Sequence, residues 1–277
     1  MSAIVKTFAP AKVNLTLHVT GQRADGYHLL DSLVVFADVG DRITVAPASE
    51  TKLTVEGPRA AGVPSDASNL VMKAAALFDV PVALHLSKHL PAAAGIGGGS
   101  SDAAATVLAM ADLVEDNRLP SGVGELGADV RVCLMRQAAR MRGIGEDVTP
   151  IEGLPALFAV LANPGIDLPT PTVFAALENK SNAPMPKSFP KWRNAAALID
   201  WLAAQRNDLE APARALAPDI ATVLAALNGL PEARLARMSG SGATCFALFD
   251  RIEHAVAGAE RLAAAHPDWW VSATSLR

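Results

Sequence analysis

The chain is poor in cysteine, long apolar runs and charge of one sign. Its 277 residues include two cysteines, Cys133 and Cys245, far apart and in apolar surroundings. They read as buried free thiols rather than a disulfide, which fits a cytoplasmic setting. No Cys/His cluster has the spacing of a metal site. The longest apolar runs, such as residues 103–111, are alanine-rich and too short to span a bilayer. The opening MSAIVKTFAPAKVN lacks the charged start and apolar block of a signal peptide. A net charge of −4 gives no general pull toward nucleic acid or an anionic membrane. With 51% hydrophobic and 19% charged residues, the chain can fill the core of one large domain or two ordinary ones.

Periodicity sketches the elements. Val13, Leu15, Leu17 and Val19 alternate, so residues 12–19 read as a half-buried strand. Residues 33–36, 42–45, 53–55 and 82–86 read as further strands, with a loop at 20–27. Residues 69–78 are helical in composition, with Asn69 as a cap. The second half yields strands at 157–161, 235–238, 244–249 and 269–274, and helices at 195–205, 218–227 and 252–265. Residues 119–127 are turn-rich and 130–134 look strand-like. Residues 163–171 form a proline-stiffened loop. Residues 179–191, polar with three prolines, read as the most mobile segment. Strands and helices interleave without a regular βα repeat. That favours an α+β protein with two domains, 1–150 and 151–277.

One stretch constrains function most. Residues 91–105 read PAAAGIGGGSSDAAA. Gly95, Gly97, Gly98 and Gly99 free the backbone, and Ser100, Ser101 and Asp102 are good N-caps ahead of a helix over 102–114. Such a turn leaves N–H groups free at a helix N-terminus, where the dipole favours an anion. The P-loop is excluded, because the chain holds no Gly-Lys dipeptide. The dinucleotide fingerprint lacks its third glycine. The protein-kinase glycine loop joins two strands, whereas this one opens a helix. A plain tight turn needs fewer glycines, and phosphate is the guest that fits. A small-residue loop, Ser239-Gly240-Ser241-Gly242-Ala243, reads as a turn or a further ligand contact.

Three segments in order, residues 9–15 (APAKVNL), the glycine turn and residues 239–243, resemble the superfamily of galactokinase, homoserine kinase, mevalonate kinase and phosphomevalonate kinase. Residues 10–36 (PAKVNLTLHVTGQRADGYHLLDSLVVF) are similar to the signature of its cytidine-diphosphate-linked methylerythritol branch. LGADVRVCL (126–134) and LPTPTVF (168–174) support the same branch. The resemblance covers most of the chain. It implies a two-domain small-molecule kinase fold: a ribosomal-S5-like N-terminal domain with a left-handed β-α-β unit, and a ferredoxin-like C-terminal domain. It implies ATP-dependent phosphorylation of the 2-hydroxyl of 4-diphosphocytidyl-2-C-methyl-D-erythritol, on the non-mevalonate route to isoprenoid precursors. Mg²⁺ is expected with ATP, and no protein ligand is assigned to it. The implied partner is a small molecule with a cytidine diphosphate head, with no nucleic acid or membrane, for a cytoplasmic monomer or weak homodimer.

The resemblance also implies roles. Asp129 becomes the base that orients and accepts the acceptor proton, where a bare Gly-Ala-Asp reads as a turn or cap. Lys12, otherwise an exposed strand lysine, becomes its partner and draws electron density from the acceptor hydroxyl. Pro91, Gly95, Gly97, Gly98, Gly99, Ser100 and Ser101 wrap the ATP phosphates. Asn69 and Lys88 line the adenine pocket, against the readings of a helix cap and a solvated lysine. Asn14 and Thr170 contact the acceptor substrate. Tyr27, the one tyrosine, stacks on the cytosine; His28 hydrogen-bonds it, and Phe174 supplies the opposite face. Gly240, Ser241 and Gly242 form the third motif. One departure is Arg131, where the family usually has proline; Arg136, Arg140 and Arg142 follow it, as candidate diphosphate ligands or as solvated charges. The connection over 114–126 is shorter than usual. Two other readings stay open: a mevalonate- or homoserine-type kinase, and a non-catalytic nucleotide- or RNA-binding module. The cytidine features oppose the first, and Lys12, Asp129 and the glycine turn oppose the second, as does the acidic charge.

Overall fold

The computed structural model describes residues 4–116 and 118–277, so the first three residues of the opening segment and Asn117 of the 114–126 connection lie outside the described residues. The chain divides into two units. The first takes the chain up to Lys12, then Val39–Ala92 and Gly97–Arg136. The second takes Val13–Asp38, Ala93–Ile96 and Gln137–Arg277. No helix among the described residues is long and apolar enough to cross a membrane.

The N-terminal strands are partitioned differently from their periodicity. The expected strand at 12–19 is two: β1, Val5–Asn14, and β2, His18–Gln22. Between them the backbone N–H groups of Leu15 and Thr16 both reach the Leu33 carbonyl, at 2.8 and 3.4 Å. Two residues facing one acceptor make a bulge, which breaks the ladder without breaking the alternation. Conversely, the two strands expected at 33–36 and 42–45 are one, β3, His28–Pro47. Gly40 does not turn the chain. A Cβ there would lie 2.2 Å from the Ala9 carbonyl oxygen, so the glycine permits close backbone approach.

In the first unit β4, Lys52–Glu56, and β5, Val82–Ser87, pair in parallel, and β5 pairs antiparallel with the second half of β3. Helix α1, Leu70–Ala75, connects β4 to β5, and Asn69 caps it through Oδ1, which accepts the Val71 N–H at 2.8 Å. Helix α2, Gly98–Val114, supplies Ala105, Ala109 and Met110 to a core shared with Ile43, Leu84 and Val71. Its alanines are strong helix formers and take little room.

Residues 130–134 are not a strand. They lie in α3, Val130–Met135. A short, mostly apolar run fits either period, and context decides. Gly127, at φ 150°, makes the turn, and the Cys133 N–H reaches the Asp129 carbonyl at 3.1 Å to start the helix.

In the second unit the first half of β3 pairs with β2 and with β6, Ala139–Gly143, which continues to β7, Asp147–Pro150. Strand β8, Leu157–Asn163, leads to α4, Thr170–Ala175, α5, Ala195–Ala203, α6, Glu210–Leu216, and α7, Asp219–Asn228. Then come β9, Leu235–Met238, β10, Cys245–Phe249, α8, Ile252–Ala265, and β11, Trp270–Leu276. The antiparallel order is β11-β8-β10-β9, which is the split β-α-β arrangement of a ferredoxin-like domain. Phe249, Val160, Val223 and Leu262 are among its core residues.

Candidate active site

The glycine turn enters its helix earlier than its serines suggest. Gly97, in the left-handed region at φ 62°, is the N-cap of α2, and Ser100, Ser101 and Asp102 lie inside the helix. The first helical bond runs from the Ser101 N–H to the Gly97 carbonyl at 2.8 Å. The N–H groups of Gly98, Gly99 and Ser100 therefore have no partner within the helix and mark its positive end. Ser101 does not cap. Its hydroxyl donates to the Pro10 carbonyl at 2.7 Å.

Lys12 and Asp129 meet at this helix start. Lys12 Nζ lies 2.8 Å from Asp129 Oδ2, with the lysine side chain buried and the aspartate one-third exposed. Asp129 stands at the N-cap position of α3 without making a side-chain cap bond. A methyl group placed on Gly97 would lie 3.1 Å from Lys12 Cε and 4.0 Å from Asp129 Oδ2. The first unit thus gathers a lysine, a partly exposed carboxylate and free helix N–H groups within one neighbourhood. A hydroxyl brought to Asp129 has an acceptor for its proton, and a phosphoryl group has donors beside it.

The other expected ATP contacts sit differently. Asn69 spends both ends of its amide on structure: Oδ1 on the α1 cap, and Nδ2 donating to the Pro64 carbonyl at 2.6 Å. Lys88 is not solvated; it is buried between Asp41 and Asp102. Neither carboxylate was a sequence candidate for this contact. Pro91 is buried beside the turn. Arg131 lies over Gly124, where a methyl group would meet its guanidinium at 3.0 Å. Arg136 donates to the Thr7 hydroxyl at 3.0 Å, and burial holds its pKa below the usual value.

In the second unit, Gly95 and the third motif are packed backbone to backbone. A Cβ on Gly95 would lie 2.4 Å from the Ser239 carbonyl oxygen, and one on Gly240 would lie 2.6 Å from the Gly95 carbonyl oxygen. Ser239, read only as part of the 239–243 loop and given no role of its own, ties the parts together: its hydroxyl donates to the Gly95 carbonyl at 2.9 Å and accepts the Asn14 N–H at 3.1 Å. Its place at the head of that loop was the only signal. A methyl group on Gly242 would collide with Met238 Sδ at 2.7 Å. The Asn14 amide donates to Ser32 Oγ at 2.8 Å, and the Thr170 and Ser241 hydroxyls share a bond of 2.7 Å.

Of the aromatic trio, the structure brings two together. The His28 and Phe174 rings stack at 4.8 Å with 25° between planes, while Tyr27 is 61% exposed at its loop. His28 Nε2 is buried with no hydrogen-bond partner among the described residues, and burial, helped by Lys180, lowers the His28 pKa. A neutral ring with an unused nitrogen suits a base edge. Arg140 is neither a diphosphate ligand nor solvated. It forks onto Asp31 with two bonds of 2.7 Å and donates to the carbonyls of Met185, Pro186 and Lys187. Arg142 pairs with Asp147 at 3.0 Å.

Comparison with known proteins shows the family. Residues 66–140 match the model of the GHMP kinases N terminal domain, and residues 187–268 match GHMP kinases C terminal. A 4-diphosphocytidyl-2-C-methyl-D-erythritol kinase from Dinoroseobacter shibae is 61% identical, covering 98% of this chain and 94% of that protein. One from Cereibacter sphaeroides is 56% identical, over 97% and 98%. A crystal structure of 4-(cytidine 5'-diphospho)-2C-methyl-D-erythritol kinase superposes with a TM-score of 0.80 at 34% identity, covering 98% of this chain and 99% of that one. L. major mevalonate kinase shares the fold, with a TM-score of 0.70 at 17% identity. Matched end to end by such relatives, the chain is a kinase and belongs to the 4-diphosphocytidyl-2-C-methyl-D-erythritol kinases of the GHMP family.

Proposed function

We propose that the protein transfers the γ-phosphoryl group of ATP to the 2-hydroxyl of 4-diphosphocytidyl-2-C-methyl-D-erythritol, in the non-mevalonate route to isoprenoid precursors. The observation that carries this reading is the Lys12–Asp129 pair, 2.8 Å apart beside the N-cap of α2. The names of the full-length relatives support the substrate.

Asp129 orients the acceptor hydroxyl and takes its proton. The oxygen bonds to the γ-phosphorus as the bond to the β,γ-bridging oxygen breaks, and ADP leaves. Lys12 holds the carboxylate and stabilises charge on the acceptor oxygen. The N–H groups of Gly98, Gly99 and Ser100 cradle phosphate oxygens. Tyr27, His28 and Phe174 take the cytosine, and Asn14 and Thr170 take the rest of the acceptor substrate. Mg²⁺ supplies charge neutralisation when bound. Among the described residues no three His, Cys, Asp or Glu side chains group as a metal site, and Asp129 and Asp102 each contact a lysine. Those residues suit an ion carried by the nucleotide phosphates and water rather than a protein cage.

A coupled assay of ADP release tests the reading. Turnover is expected with the cytidine compound and not with mevalonate or homoserine. Equal turnover with all three, or none with the cytidine compound, would overturn it.

A further inference from the structure

A second lysine lies under the same turn. Lys88 Nζ donates to Asp102 Oδ2 at 3.0 Å and to Asp41 Oδ2, and all three side chains are at most 4% exposed. Asp41 Oδ1 accepts the backbone N–H groups of His89 and Leu90, at 2.5 and 2.8 Å. Asp102, in the first turns of α2, keeps its Oδ1 buried with no hydrogen-bond partner among the described residues. A methyl group on Gly98 would lie 3.2 Å from Lys88 Nζ. The first residue of the helix therefore rests on an ammonium, which carboxylates from β3 and from α2 hold on two sides.

Two carboxylates and one ammonium leave a buried negative charge if all are ionised. Such a charge is costly without solvent, and retaining a proton removes it. Burial, with the Asp41 charge adding to it and Lys88 opposing it, pushes Asp102 up to about 7. Burial works against the Lys88 charge, but the two carboxylates outweigh it and raise the Lys88 pKa. From α3 the group facing Asp102 is the Cys133 thiol, which burial pushes upward. On α1, Lys73 is turned to solvent, and on β1 Lys12 is engaged with Asp129.

We propose that Asp41, Lys88 and Asp102 are a positioning group for the phosphate-binding turn, and that Asp102 takes up a proton when a nucleoside triphosphate binds there. Phosphate on the N–H groups of residues 98–100 adds negative charge above the cluster and favours the neutral carboxyl. By reciprocity, the neutral carboxyl favours phosphate, because Lys88 then faces one carboxylate charge instead of two. The proposal rests on the reading of the glycine turn as the ATP site.

Calorimetric titration with ATP at about pH 8, where the nucleotide phosphates are fully ionised, in two buffers of different ionisation enthalpy, tests it. The wild-type protein is expected to take up protons on binding ATP and none on binding adenosine. Asp102→Asn is expected to bind ATP without uptake. The wild-type KM for ATP should rise severalfold from about pH 6 to about pH 8, with kcat changing less, and the rise should vanish in Asp102→Asn. Asp41→Asn keeps an oxygen for the two N–H groups and removes the like charge, so the inflection should move to lower pH. No uptake with ATP, equal uptake with adenosine, or an unchanged pH limb in Asp102→Asn would each overturn the proposal alone. Failure of the wild-type protein to bind ATP at all would overturn the kinase reading and this proposal with it. Because the adenosine comparison uses only the wild-type protein, it decides the matter even if Asp102→Asn does not fold.

Discussion

Asp129 gains its role from what surrounds it. A Gly-Ala-Asp turn is unremarkable in sequence, and the structure sets its carboxylate 2.8 Å from a buried lysine that arrives from 117 positions away (129 − 12). Asp129→Asn keeps the shape and loses the proton acceptor. Its turnover should fall by about 10²–10⁴-fold, the usual worth of acid–base assistance, with unchanged circular dichroism. Lys12→Met should also lose activity. Since the two residues act as one unit, the double variant should lose little more than the worse single one. Losses that multiply would sink the idea of a coupled pair. The motifs made Lys12 and Asp129 legible. They could not reveal Lys88 as a buried residue, because Asp41 and Asp102, which enclose it, stand 47 and 14 residues away. Arg140 was misread for the same reason: Asp31, its partner, lies 109 residues off.

Elements were legible where local chemistry agreed with the environment. The expected helix at 252–265 coincides with α8, and the Asn69 cap of α1 is where its residue type suggests. Failures came where a distant contact overruled a local period: the bulge that splits β1 from β2, and Gly40 inside β3. Strands β6 and β7 and helix α6 had no strong period and were not expected. The glycines allow a graded test. Gly26 and Gly95 both have positive φ, at 91° and 71°, but a Cβ at Gly26 meets nothing within 4 Å, whereas at Gly95 it meets backbone at 2.4 Å. Gly26→Ala should cost about 1–2 kcal/mol of stability from backbone conformation alone. Gly95→Ala should cost clearly more by urea denaturation and raise the KM for ATP. Equal losses would show that the third motif does not constrain the turn. Segment 179–191, expected to be mobile, has no regular structure, yet Arg140 holds three of its carbonyls and the Met185 N–H donates to Asp31 at 2.8 Å. Arg140→Met leaves Asp31 buried and unpaired, which should cost about 3–5 kcal/mol. Proteolysis should then cut between residues 179 and 191 before elsewhere; a cleavage pattern like the wild type's would contradict the clamp.

For the whole molecule, the α+β class with two family domains was readable, because motif order and interleaved strands are properties of the entire chain. Its response to pH was not, because that depends on burial. Two kinds of group act in opposite directions. Burial, then Arg206, holds the His18 pKa below 6.5. The unfolded chain therefore binds more protons just below that value, and this contribution to stability is lost as pH falls through the folded-state pKa. Asp102 goes the other way, from 3.8 in the unfolded chain up to about 7. Between those values the folded protein binds the extra proton. Its contribution is full below pH 3.8 and is lost as pH rises to about 7. Urea midpoints of the wild-type protein and Asp102→Asn, measured from about pH 5 to about pH 8, isolate the contribution of the Asp41–Lys88–Asp102 cluster, since groups distant from it cancel in the difference. Wild-type stability relative to the variant should decline steadily until about pH 7 and then level off. Saturation with ATP should move the levelling point upward, because a bound phosphate holds the same proton more tightly. A difference independent of pH would mean that Asp102 stays ionised throughout, with Lys88 alone carrying its charge.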